Sequence, residues 1–132
     1  MNQEIDTLIQ QCGSADSASN PLFDAPLFDM CARAGVSLER FYDIFAHRIA
    51  TEFSAGRLTF DTADAAINLL HNYSLMGPSQ ELLDGFAWEI YRAFDAGEYM
   101  HPSERDTVDP VIKYTMPLVA RALASGFPQH EV

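Results

Sequence analysis

The chain has 132 residues and a formal net charge of −11, with 48% hydrophobic and 11% aromatic residues. One domain of this size and composition can bury a core without disulfide or metal support, which excludes a disordered polypeptide. So acidic a field repels phosphate backbones and anionic bilayers, so nucleic acid and membranes are excluded as expected partners and basic proteins are favoured.

Residues 3–12 form a short amphipathic segment with Ile5, Leu8 and Ile9 on one side. The run 13–20 is small and polar and reads as a flexible linker. Residues 1–20 are therefore expected to be a helical arm plus linker, set apart from a helical domain over 21–132. Pro26 suits the first turn of a helix carrying Leu27, Phe28 and Cys31. Ser37 caps the clearest helix, Leu38 to Ala55, in which Leu38, Phe41, Tyr42, Phe45, Ile49 and Phe53 step by three or four. Asp61 is placed to cap a helix from Thr62 to Tyr73, with Ala63, Ile67 and Leu70 inside. Beyond Met76-Gly77-Pro78, Ser79 is placed to cap a helix to Ala96 with Leu83, Phe86, Ala87, Ile90 and Phe94 as its core line. Met100 to Asp109 reads as a polar loop, and Asp109-Pro110 starts another helix. Pro117 predicts a break there, with Thr115 capping a separate final helix to Ser125.

Four pairs punctuate these segments: Ala34-Gly35, Ala55-Gly56, Ala96-Gly97 and Ser125-Gly126. Each puts glycine where a helix closes through the left-handed conformation. The following residue can then meet the last turn: Val36 with Cys31, Arg57 with Glu52, Glu98 with Arg92 and Phe127 with Ala122. No alternating strand pattern appears. The expected fold is an all-α, single-domain bundle of five or six helices with an aromatic-rich core.

Glu39, Asp43 and His47 lie at i, i+4 and i+8 on one helix face. That spacing can ligate a metal or set a base beside an acid, yet no metalloprotease-type motif supplies further ligands, and the face lies opposite the apolar stripe, where solvated charges belong. Asp61, Asp64 and Asn68 line the outer face of the next helix in the same way. His71, His101 and His130 lack a nucleophile or carboxylate at diagnostic spacing. Neither a nucleophile elbow nor a phosphate-cradling glycine cluster is present. Cys12 and Cys31 have no metal-ligand spacing, and no basic stretch precedes an apolar run at the start. A reduced cytoplasmic protein without a cofactor is expected, both thiols being structural.

Functional signal concentrates between Trp88 and His101. Trp88, Tyr91 and Tyr99 flank the core line, and Glu89, Asp95 and Glu98 set carboxylates among the rings. Rings bury large area at low entropic cost, and acids steer a basic partner, so Trp88, Tyr91, Asp95, Glu98 and Tyr99 form the expected partner-binding set. The bland alternative is that the rings complete the core and the acids pair locally.

The stretch Ala55-Gly56-Arg57-Leu58-Thr59-Phe60-Asp61-Thr62-Ala63-Asp64, with Asn68-Leu69-Leu70 and Tyr91-Arg92-Ala93-Phe94-Asp95-Ala96-Gly97-Glu98-Tyr99, resembles small acidic bacterial proteins of unassigned function. Some proteins of that type resemble immunity proteins, which bind and neutralise a cognate toxin. The likeness covers the second half of the chain and implies a non-enzymatic inhibitor docking acidic helices on a basic toxin. No site residues carry over from it. The expected function is thus a protein-binding module for a basic partner. Two readings compete with it: a small metal-dependent or acid–base enzyme using Asp43 and His47, and a homo-oligomeric structural protein, at its simplest a homodimer.

Overall fold

The computed structural model describes residues 2–15, 19–98 and 109–125. Its α-helices are α1 (Asn2–Gly13), α2 (Leu27–Ala34), α3 (Leu38–Ser54), α4 (Phe60–Met76), α5 (Gly85–Gly97) and α6 (Met116–Ala124). A 3₁₀ turn spans Pro21–Phe23 and a π-helical turn spans Val111–Thr115. With no strand among the described residues, the chain is the all-α bundle its periodicity predicts. Phe41, Phe45 and Phe94 are fully buried, and Phe53 and Phe60 meet the Phe94 ring at centroid distances of 5.0 and 5.7 Å.

The local signals at α2 and α3 act as their chemistry requires. The Ser37 hydroxyl accepts from the Arg40 N–H at 3.0 Å. Gly35 and Gly56 adopt φ of +69° and +79°, and the Val36 N–H donates to the Cys31 carbonyl at 3.0 Å. The Arg57 N–H reaches the Glu52 carbonyl at 2.8 Å while its guanidinium pairs with the Glu52 carboxylate at 2.7 Å. Gly97 works differently. It is the last helical residue of α5, outside the left-handed region, and a Cβ there would collide with Thr115 Oγ1 and press on the Phe60 ring. Close approach of the π turn demands glycine at this position, not helix termination. Gly126 and Phe127 lie outside the described residues.

Three boundaries differ from expectation. Thr59, not Asp61, caps α4, its hydroxyl accepting from the Thr62 N–H at 3.2 Å. Two candidate caps two residues apart are decided by Phe60, which must enter the helix to pack on Phe94. Ser79 caps nothing: its hydroxyl donates to the Ser74 carbonyl at 3.0 Å and lies 3.0 Å from the Tyr42 hydroxyl, tying the connection to α3 and α4. α5 begins only at Gly85. Pro117 breaks nothing either. The Met116 N–H reaches back five residues to the Val111 carbonyl, and the helix runs on into α6 with Thr115 in helical conformation rather than as a side-chain cap. The widened turn absorbs the hydrogen bond proline cannot make, and Thr115 donates instead to the Ala93 carbonyl at 2.7 Å.

α1, which composition sets apart as an arm, packs mainly against α4. Ile5, Leu8, Ile9 and Cys12 join the same core as α3, α4 and α5, and Gly13 sits so close to Thr62 that a Cβ would touch its methyl. Residues 16–18 lie outside the described part.

Candidate functional site

α4 carries Asp64, Asn68 and His71 at i, i+4 and i+7, and α5 carries Trp88, Tyr91, Asp95 and Glu98 at spacings of three, four and three. Each set is one helical stripe, and packing of α4 against α5 brings the two together. At one end, the Asn68 amide nitrogen donates to the Asp64 carbonyl at 2.8 Å, to Asp64 Oδ1 at 3.1 Å and to Glu98 Oε2 at 3.1 Å. At the other end, the His71 ring lies 4.2 Å from Tyr91 and 5.8 Å from Trp88, and Trp88 stacks on Tyr91 at 5.4 Å. All three rings are half-buried.

The electrostatics of this seam are strained. Burial, reinforced by the hydrogen bond to Glu98 and the charges of Glu98 and Asp95, pushes the Asp64 carboxyl up to about 8, against the opposing Asn68 donation. Burial pulls the His71 imidazole below its ordinary value. His71 Nε2 is buried and has no hydrogen-bond partner among the described residues. Elsewhere carboxylates are matched by arginines: Arg48 with Asp6 at 2.6 Å, Arg33 with Glu4 at 2.9 Å and with Asp29 at 3.0 Å, and Arg57 with Glu52. Among the described residues no such cation stands against Asp64, Asp95 or Glu98.

Of the expected partner-binding set, Trp88, Tyr91, Asp95 and Glu98 share this seam, and Tyr99 lies outside the described residues. The rings do pack on the core as the bland alternative has it, while keeping part of their surface open. Glu98 pairs with Asn68 rather than with Arg92. Asp64, Asn68 and His71 were assigned to a solvated outer face. Their stripe matches that of α5, but nothing in one helix alone reveals which neighbour will cover it.

The α3 trio has another fate. Asp43 Oδ1 accepts from the Ala87 N–H at 3.1 Å, while Asp84, at the N-cap position of α5, makes no side-chain cap. Asp43 therefore caps α5 from a different helix. The His47 ring rests 5.8 Å from Phe86, and burial, then Arg40 and Arg48, lower its basicity. Glu39 is exposed. Among the described residues no group of three or more His, Cys, Asp or Glu is placed to hold a metal ion.

An open groove of about 730 Å³ between α1 and residues 19–30 is lined by Leu8, Pro26 and Met30 and by the carboxylates Glu4 and Asp24, without histidine, cysteine or a cation. No helix of the described residues is long and apolar enough to cross a membrane. No family model, curated protein or solved structure matches this chain, so its chemistry rests on its own residues.

Proposed function

We propose that the chain is a non-enzymatic binding module that takes a basic protein partner on the α4–α5 seam. The observation that carries this reading is the convergence of Asp64, Asp95 and Glu98, without a neighbouring cation, beside the half-buried stack of Trp88, Tyr91 and His71. An arginine or lysine from a partner supplies the missing positive charge, and the rings supply desolvated area and a π face. Occlusion of a basic toxin by an immunity-type inhibitor is the form that the sequence resemblance suggests. A reduced cytoplasmic setting suits the two buried, unpaired thiols Cys12 and Cys31.

Trp88 is the sole tryptophan and reports on the seam directly. Titration with an arginine-rich peptide should change its emission saturably and less strongly at high salt, whereas a glutamine-substituted peptide should leave it unchanged. The double variant Asp95→Lys, Glu98→Lys should weaken binding and flatten the salt dependence. Unchanged affinity in that variant would sink the site assignment.

Self-association is a second reading, favoured by the exposure of Phe28 (63%), Met76 (70%) and Leu82 (62%). Light scattering across a dilution series separates it from a monomeric binder. The acid–base alternative draws less support, because the Asp43 oxygen it needs is engaged by the α5 backbone.

A further inference from the structure

An amide nitrogen carries two protons, and the Asn68 nitrogen faces three acceptors, two of them carboxylate oxygens on different helices. The two carboxyl groups thus belong to one hydrogen-bonded unit with more acceptors than donors. Two negative charges held that close beside a half-buried helix seam do not both ionise readily. The neighbours offer no relief. α5 contributes Glu98 itself and Asp95, a further negative charge, and α4 contributes Asn68. α1 approaches through the uncharged Gly13–Thr62 contact, and neither α3 nor the 3₁₀ turn sets a cation against Asp64 among the described residues. In the free protein the missing donor is a proton.

We propose that Asp64, Asn68 and Glu98 form a proton-operated latch that fastens the last turn of α5 to α4 when Asp64 is protonated and releases it when Asp64 ionises. With one shared proton, the Asp64 hydroxyl donates to Glu98 and the Asn68 amide serves the remaining oxygens. Without it, the carboxylates repel across the seam. The turn that is freed contains Gly97, the residue on which Thr115 and the π turn sit, so release reaches the seat of α6 as well. The changeover falls near pH 8, where burial and Glu98 place the Asp64 carboxyl. The latch stands on the contact between the two helices and holds whether or not a basic partner docks there.

The test uses the full chain, free of partners. Carboxyl carbon NMR follows Asp64 from pH 5 to 9.5, and amide hydrogen exchange, corrected for intrinsic rates, follows residues 94–98 against the middle of α3. The expected result is an Asp64 midpoint near 8 and, from pH 7 to 9, about a tenfold loss of protection confined to the end of α5, since one unit of pH beyond the midpoint weights the open form about tenfold. Asp64→Asn and Glu98→Gln should each remove the pH dependence of that protection. Glu98 is exposed, so its variant carries the test if Asp64→Asn fails to fold. An Asp64 midpoint in the ordinary carboxylate range, or an α5 profile in Glu98→Gln identical to that of the parent, overturns the latch.

Discussion

Two helices carry nearly the same pattern and put it to different uses. α3 presents Glu39, Asp43 and His47, and α4 presents Asp64, Asn68 and His71, both an acid–polar–imidazole run at one-turn spacing. Both runs face α5 in part. α3 meets the start of α5, where bare backbone N–H groups need an acceptor, and Asp43 provides it. α4 meets the flank of α5, where Asp95 and Glu98 already carry negative charge, and Asp64 is left competing for a proton. The same carboxylate is satisfied against a helix terminus and frustrated against another acid. Spacing alone therefore does not define a site. What the opposing helix offers decides whether a polar stripe becomes mortar or remains reactive.

The largest expected effect lies on the satisfied side. Asp43→Ala should destabilise the fold by about 1–2 kcal/mol in urea unfolding, the usual cost of a lost helix cap, and Asp43→Asn should recover most of it. A neutral Asp43→Ala would erase the distinction between the two helices. On the strained side, Asp64 binds its proton more tightly folded than unfolded, so it costs stability progressively as pH rises from the ordinary carboxylate range towards 8 and no more beyond that. Asp64→Asn should abolish this fall, which amounts to about 1 kcal/mol once solvent screening of a half-exposed pair is allowed for. Thermal melts at pH 5, 6.5 and 8 read the difference directly.

His71 sharpens the contrast further. Its basicity is lowered in the folded state, so it favours folding while neutral and that contribution is lost as pH falls below about 6.5, its unfolded value. His71→Phe keeps the ring stack, removes the buried unpartnered nitrogen and should stabilise the protein by about 0.5–1 kcal/mol while flattening the acid limb of the stability curve. The smallest effect is expected from His47→Gln, about 0.5 kcal/mol from the lost Phe86 contact, by the same denaturant measurement. A loss from His47→Gln greater than that from Asp43→Ala would mean that α3 works through its imidazole rather than its acid.

What could be read in advance was what neighbouring residues decide. The Ser37 cap, the left-handed Gly35 and Gly56, and the Glu52–Arg57 pair all close within five residues, so their chemistry is written side by side. The core line Phe41, Phe45, Ile49 follows from periodicity for the same reason. Trp88, Tyr91, Asp95 and Glu98 stood out because they lie on one stripe of one helix. The rest depends on partners far along the chain: Asp43 reaches Ala87 across 44 residues and Asn68 reaches Glu98 across 30. Gly97 shows how such a partner changes a residue's meaning, since the approach of Thr115 rather than a helix stop explains it.

The π turn before α6 sets a phase. A regular helix advances about 100° per residue, and a turn that closes across five residues instead of four carries one residue more than the regular path needs. Removing a single residue from Val111–Thr115 would thus restore ordinary winding and turn everything downstream by that angle about the helix axis. Val119 and Ala122, now buried, would swing off the bundle, and Thr115 would leave its carbonyl on α5. The widened turn acts as a rotational setting for the end of the fold, so this short segment should accept substitution far more readily than deletion.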